Sequence, residues 1–131
     1  MSPHEYLSLG GFVVVVLVAV YIAFRQPDVG STFIAAALSG AYLGFTIVTI
    51  WSEGVVQVWT NHTTNLWGVQ VWWDLLFALA IALFLIAPRA RKQGMNVPLW
   101  TLIIVSTGSI GLLAMCAVLF RRERDSAPQA T

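Results

Sequence analysis

The sequence predicts an all-α fold: an integral membrane four-helix bundle with a Trp-rich, amphipathic connection between its second and third helices. Three observations predict it. Charged residues make up 10% of the 131-residue chain and hydrophobic residues 58%, whereas soluble domains carry about a quarter charged residues. Four stretches meet the roughly 17 to 25 mostly apolar residues that cross a bilayer core. What remains between them is too short for a water-soluble domain, so residues 1–131 form one membrane domain.

The first span covers residues 7–24 and stops at Arg25-Gln26-Pro27-Asp28, where proline and charge end a helix. It has no basic segment before it and no small-x-small site before Arg25, so it is expected to be retained rather than cleaved as a signal peptide. The second span covers residues 32–51. The third covers about 69–87 and is closed by Pro88-Arg89-Ala90-Arg91-Lys92. The fourth covers about 97–120, with Pro98 in its first turn, where a missing N–H costs nothing. Arg121-Arg122-Glu123-Arg124 then opens a polar tail, residues 121–131.

Four spans would place the chain start, the Trp-rich connection and the tail on one side of the membrane. Arg25, Arg89, Arg91 and Lys92 then oppose Arg121, Arg122 and Arg124. That bias is small, and the lack of Lys or Arg before the first span places both termini on the non-cytoplasmic side of the cell membrane. The net charge of +1 offers no concentrated basic face for nucleic acid. A single Cys116 allows neither an internal disulfide nor a Cys-based metal cage.

Each span carries small residues at helical spacing: Gly11, Val15, Ala19 and Ala23; Ala36, Gly40 and Gly44; Ala78 and Ala82; Gly108 and Gly111. Lipid is as apolar as leucine, so membrane helices associate by close packing, which small residues permit. Gly40, Gly44, Gly108 and Gly111 are therefore expected to pack helices inside the bundle.

Asp74 is the only ionisable residue well inside an expected span, and such residues are functional suspects because charge is costly there. Steps of four place it with Gln70, Ala78 and Ala82, opposite Val71, Leu75, Leu79 and Leu83. This predicts that Asp74 faces the bundle interior, as an ion or proton site or as the salt-bridge partner of Arg121 or Arg122. On the same expected membrane face lie His4, Glu5, Glu53 and His62. Imidazoles and carboxylates are Zn or non-haem Fe ligands, but no ligand spacing such as HxxxH or ExxH joins them. No metal and no cofactor is expected.

Between Trp51 and Asp74 lie five of the six tryptophans and no Lys or Arg. Tryptophan concentrates at membrane interfaces, which makes Trp51, Trp59, Trp67, Trp72, Trp73 and Trp100 interfacial anchors. Val55, Val58, Trp59 and His62 fit a short amphipathic helix on the membrane surface. Asn61-His62-Thr63 matches a glycosylation acceptor, but in so short a loop it is read as accidental. Thr101, Ser106, Thr107 and Ser109 have no acid or imidazole at helical spacing that would make a nucleophile.

Trp73-Asp74-Leu75-Leu76, Arg89-Ala90-Arg91-Lys92-Gln93-Gly94-Met95 and Thr107-Gly108-Ser109-Ile110-Gly111-Leu112 resemble a family of small bacterial four-span membrane proteins of uncharacterised function, over about residues 66–122. The resemblance implies a location in the bacterial cytoplasmic membrane and makes Asp74 and the basic loop recurring parts of a template. It implies no reaction.

The expected function is that of an accessory or assembly partner acting through helix–helix contacts, with the lipid bilayer and either further copies or a larger membrane protein as partners. The alternative is an oligomeric transporter or channel with Asp74 as the proton- or cation-coupling group. An intramembrane metalloenzyme using His62, Glu53 and Asp74 has the least support.

Overall fold

The computed structural model describes residues 2–25 and 29–127. All regular structure among them is helical: α1 (Pro3–Arg25), α2 (Thr32–Glu53), α3 (Val56–Thr63), α4 (Leu66–Lys92), α5 (Val97–Thr107) and α6 (Ser109–Ser126). The helix α1 forms one compact unit, and α2 to α6 form a second. Three helices, α1, α2 and α4, are long and apolar enough to cross a membrane.

The start of α1 is a reciprocal capping box. Ser2 Oγ accepts from Glu5 N at 3.3 Å, and the Glu5 carboxylate accepts from Ser2 N at 2.5 Å. Two of the donors that a helix start leaves unpaired are thereby satisfied. The Val13-Val14-Val15-Val16 run would favour a strand in water. As a helix, the run satisfies its backbone hydrogen bonds within its own segment.

In the second unit, Ser31 caps α2 by accepting from Ile34 N at 3.2 Å. The buried side of α2, Ala35 and Ser39, lies toward α6, and Ser39 Oγ donates to Ile110 O at 2.9 Å. After Gly54 the chain forms α3, the short helix expected in the Trp-rich connection, which folds back on the start of α4. The crossing is close. A Cβ at Gly68 would lie 2.7 Å from Asn61 O. Asn65 caps α4, accepting from Gly68 N at 2.8 Å, so α4 begins at Leu66 rather than near Val69.

At its other end α4 does not stop at Pro88, as the sequence suggests, but runs to Lys92. Proline removes one backbone bond from a helix, and here the following turn is held from outside. Ala90 is fully buried in the core, and Arg89 is paired with Glu123. The helix ends in a Schellman motif: Met95 N donates to Ala90 O at 3.0 Å and Gly94 N to Arg91 O at 3.0 Å. Gly94 sits at φ 66, the left-handed position that only glycine adopts cheaply. Asn96 then caps α5, accepting from Leu99 N at 3.1 Å.

The expected fourth span is not one helix. At Gly108 the backbone takes φ 62 and ψ −131, and the chain reverses. A straight helix from Val97 to Arg122 would be about 37 Å long. Instead, Arg122 Nη1 donates to Gln93 O at 2.8 Å, and Ser126 Oγ donates to Gln93 Oε1 at 3.0 Å. The helices α5 and α6 thus form a hairpin whose open end lies against the end of α4. With 11 residues, α5 is about 16 Å long, half of a bilayer core. The four-helix bundle is therefore corrected to three long helices and a hairpin.

The core gathers inside this hairpin and where it meets the second half of α4. Ala90, Met95, Val97, Ile104, Met115 and Leu119 are buried together, with Leu79, Leu83, Ile86, Ala87 and Trp100 packed against them. Gly111 allows the tight turn, since a Cβ there would sit 2.6 Å from Thr107 Oγ1 and 3.1 Å from Ile103 O. Gly40 and Gly44 do not play the expected packing role inside this unit, where no atom lies within 4 Å of a Cβ built on either.

Two substitutions test this architecture by thermal unfolding of the detergent-purified chain. Gly108→Ala forces an L side chain into a backbone region costing about 1–3 kcal/mol and should lower the unfolding temperature. Gly68→Ala drives a methyl into the α3 backbone and should destabilise by about 1–3 kcal/mol. Unchanged unfolding in both variants would contradict the hairpin turn and the α3–α4 crossing.

Candidate functional site

Three elements meet at the start of α4: the returning helix α3, the Asn65 cap and the tryptophans around Asp74. The geometry separates residues that the sequence groups together. Leu79, Leu83, Ile86 and Ala87 pack on the core, so the stripe expected to face lipid is in part the packing face. Asp74 is nine residues from Leu83, about 180° around the helix, and is exposed. The expectation that Asp74 points into the bundle is corrected for the α2–α6 unit. The physical reason is the hairpin, which is half-length and covers the second half of α4, leaving the first half to α3 alone.

Around Asp74 the side chains of one helix face form an open groove of about 320 Å³, lined by Trp67, Gln70, Val71, Trp73, Asp74 and Phe77. Trp73 and Phe77 hold each other edge to face, ring centres 5.6 Å apart and planes at 89°. This is the favoured geometry of an aromatic pair, with the positive ring edge against the negative ring face. A carboxylate accepts hydrogen bonds and donates none. The groove therefore presents one carboxyl group among aromatic surfaces.

His62 is placed elsewhere. Its Nδ1 donates to Val58 O at 2.6 Å, which assigns the ring hydrogen to that nitrogen. The ring stacks at a tilt on Trp72, centres 5.2 Å apart. Trp72 is two residues from Asp74, about 200° around α4, so His62 sits across the helix from the carboxylate. Glu53 is exposed at the end of α2. Among the described residues, no three His, Cys, Asp or Glu side chains gather as a metal-binding group.

Arg121 does not meet Asp74. Its Nε lies 3.9 Å from Asp125 Oδ2, an exposed pair one helical turn apart of the kind that contributes little. The hairpin carries the whole start of the tail to the far end of α4. There Arg89 Nε donates to Glu123 Oε1 at 2.8 Å and Arg89 Nη2 to Glu123 Oε2 at 2.6 Å. The Arg89 guanidinium also stands 5.8 Å over the Phe120 ring. Arg89 is 15 residues beyond Asp74, a rise of about 22 Å.

Glu123 and Gln93 are the residues that sequence reasoning missed. Their partners lie 34 and 29 residues away in the chain, so no local spacing announces them. The one signal was Gly108, read as a packing glycine when it marks a turn. The tryptophans divide as well. Trp51, Trp59, Trp67 and Trp73 are exposed. Trp72 is half-buried against His62, and Trp100 packs on the core.

Compared with family models, curated proteins and solved structures, the chain matches none of them.

Proposed function

We propose that this is a small polytopic membrane protein that works through helix–helix contacts, as an accessory or assembly partner of other membrane chains or of further copies of itself. The observation that carries this reading is the face of α2 opposite α6. It presents Gly40 and Gly44 at four-residue spacing with nothing of the α2–α6 unit near them. Its flanks, Leu43 and Ile47, are exposed. A helix face that is smooth and apolar gains little from lipid over leucine, but lets a second helix approach closely.

The hairpin also supports an orientation. Within the α2–α6 unit, successive crossings by α2 and α4 alternate sides, and the α5–α6 hairpin returns to the side it left. All Lys and Arg residues of this unit then share one face: Arg89, Arg91, Lys92, Arg121, Arg122 and Arg124. The opposite face has Glu53 and His62, with Asp74 in the same half. By the positive-inside rule the basic face is cytoplasmic. The end of α6 is then inside. A bacterial cytoplasmic membrane is the setting proposed.

Both parts have direct tests. Gly40→Leu with Gly44→Leu should reduce intermolecular crosslinking along α2 at least tenfold while leaving the unfolding temperature unchanged. Equal crosslinking in the double variant would sink the assembly reading. A fluorescent reporter fused after α6 should fold in the cytoplasm, whereas alkaline phosphatase fused there should be inactive. The reverse pattern would refute the orientation.

A further inference from the structure

We infer that the groove around Asp74 is a binding site for an alkylammonium group, an amine cation carried on an apolar body. The site lies on α4, away from the Gly40–Gly44 face of α2, so it stands or falls apart from the assembly reading.

The charge argument comes first. Asp74 is exposed on a helix that otherwise carries no charged residue from Val69 to Pro88. Ionisable residues at such a depth pair with another group or serve a ligand. Within the α2–α6 unit the ion pairs among the described residues are Arg89–Glu123 and Arg121–Asp125, both at the other end of α4. The hairpin that sends the basic tail there takes every Lys and Arg of this unit away from Asp74. The carboxylate is thus left for a cation that the unit does not supply.

The walls of the groove select the kind of cation. Trp67, Trp73 and Phe77 line it beside Asp74, and aromatic faces attract ammonium groups, tryptophan most strongly. Trp73 and Phe77 already brace each other at 5.6 Å, so part of the wall is set before a ligand arrives. A bare metal ion would find one carboxylate and no second ligand of that type, as no metal-binding group forms among the described residues. An alkylammonium instead uses the ring faces for its methylenes and its charge together. Gln70, one turn before Asp74, adds an amide oxygen that can accept from an N–H. The volume of about 320 Å³ is at the lower end of small-molecule sites, enough for a headgroup or a small amine.

Depth fits the same chemistry. Asp74 lies eight residues into α4, a rise of about 12 Å from Leu66, among tryptophans that mark the membrane interface. An amphiphilic amine places its charge at that level and its apolar part beside Val71 and Phe77. Two sources share this chemistry, the ethanolamine headgroup of a phospholipid and a free amphiphilic amine.

The test uses the full chain in phosphatidylglycerol nanodiscs, labelled with 5-fluorotryptophan and titrated with tetrapropylammonium. Trp67→Phe and Trp73→Phe assign the two fluorine resonances. Both should shift and saturate, Asp74→Asn should weaken the apparent affinity at least tenfold, and Asp74→Glu should retain it. Asp74 is exposed, so circular dichroism of Asp74→Asn should match the parent. If phosphatidylethanolamine in the disc moves the titration to higher probe concentration, the lipid headgroup is the source; if not, the source is a free amine. No saturable shift, or the same shift in Asp74→Asn, would overturn the site. So would a photoreactive residue at position 71 that captures a basic partner helix in native membranes.

Discussion

The reversal at Gly108 sets where the basic end of the α6 helix lies within the α2–α6 unit. An apolar stretch long enough to cross a membrane instead folds back after 11 residues of α5. Such a turn leaves carbonyls at the end of one helix and N–H groups at the start of the next without partners. At the turn itself Gly108 N donates to Ile104 O at 2.7 Å and Leu112 N to Gly108 O at 3.2 Å. Hydroxyls around it add further bonds to helix carbonyls. Thr107 Oγ1 donates to Ile103 O at 2.7 Å, and Ser106 Oγ donates to Leu102 O at 2.9 Å. From the neighbouring helix, Ser39 Oγ donates to Ile110 O at 2.9 Å. Hydroxyls with no catalytic spacing have a structural use at this turn.

The open end of the hairpin is closed by the opposite kind of chemistry. Arg89 and Glu123 meet in a two-point, charge-assisted pair, the strongest geometry a guanidinium and a carboxylate can adopt. The pair is only partly shielded, with Arg89 at 42% side-chain exposure and Glu123 at 14%, so solvent screens part of its worth. Its main effect is register. With Arg122 on the Gln93 carbonyl, it aligns the last turns of α4 and α6, and the buried set from Ala90 to Leu119 fills the space between. Pro88 can then sit inside α4 because the turn after it is clamped.

Much of this was legible in the sequence. The first three apolar stretches are single helices, the caps at Ser31 and Asn65 and the stop at Gly94 follow ordinary helix chemistry, and α3 occupies the stretch read as amphipathic. What misled was length. Residues 97–120 meet the span criterion by hydropathy, and hydropathy contains no information about a reversal in the middle. Gly108 could have been either a packing glycine or a turn, since a single glycine serves both. The error then propagated. A straight fourth helix puts Arg121 level with Asp74, whereas a folded one puts it beside Asp125 at the far end. The side of α4 that Asp74 occupies was misjudged for a related reason. Stepping by four residues identifies stripes, but which stripe is buried depends on what packs there, and that element is the hairpin.

The same reversal sorts the charges of the unit into two ends with different chemistry. At one end, helix termini from α4 and α6 bring Arg and Lys together, where C-terminal helix dipoles favour positive charge. At the other end, among the described residues, are the exposed Asp74 and four of the exposed tryptophans. A half-length hairpin cannot cover both halves of a full-length helix. The half of α4 it leaves bare is the half where Asp74 stands. Had α5 and α6 continued as one straight helix of about 37 Å, Arg121 and Arg122 would have ended near the level of that carboxylate. Because the chain turns back instead, the carboxylate keeps its charge available, and the aromatic rings beside it face outward rather than into a core. The exposed acid and the folded-back helix are therefore one structural fact, and a ligand site at Asp74 is possible only because of the turn at Gly108.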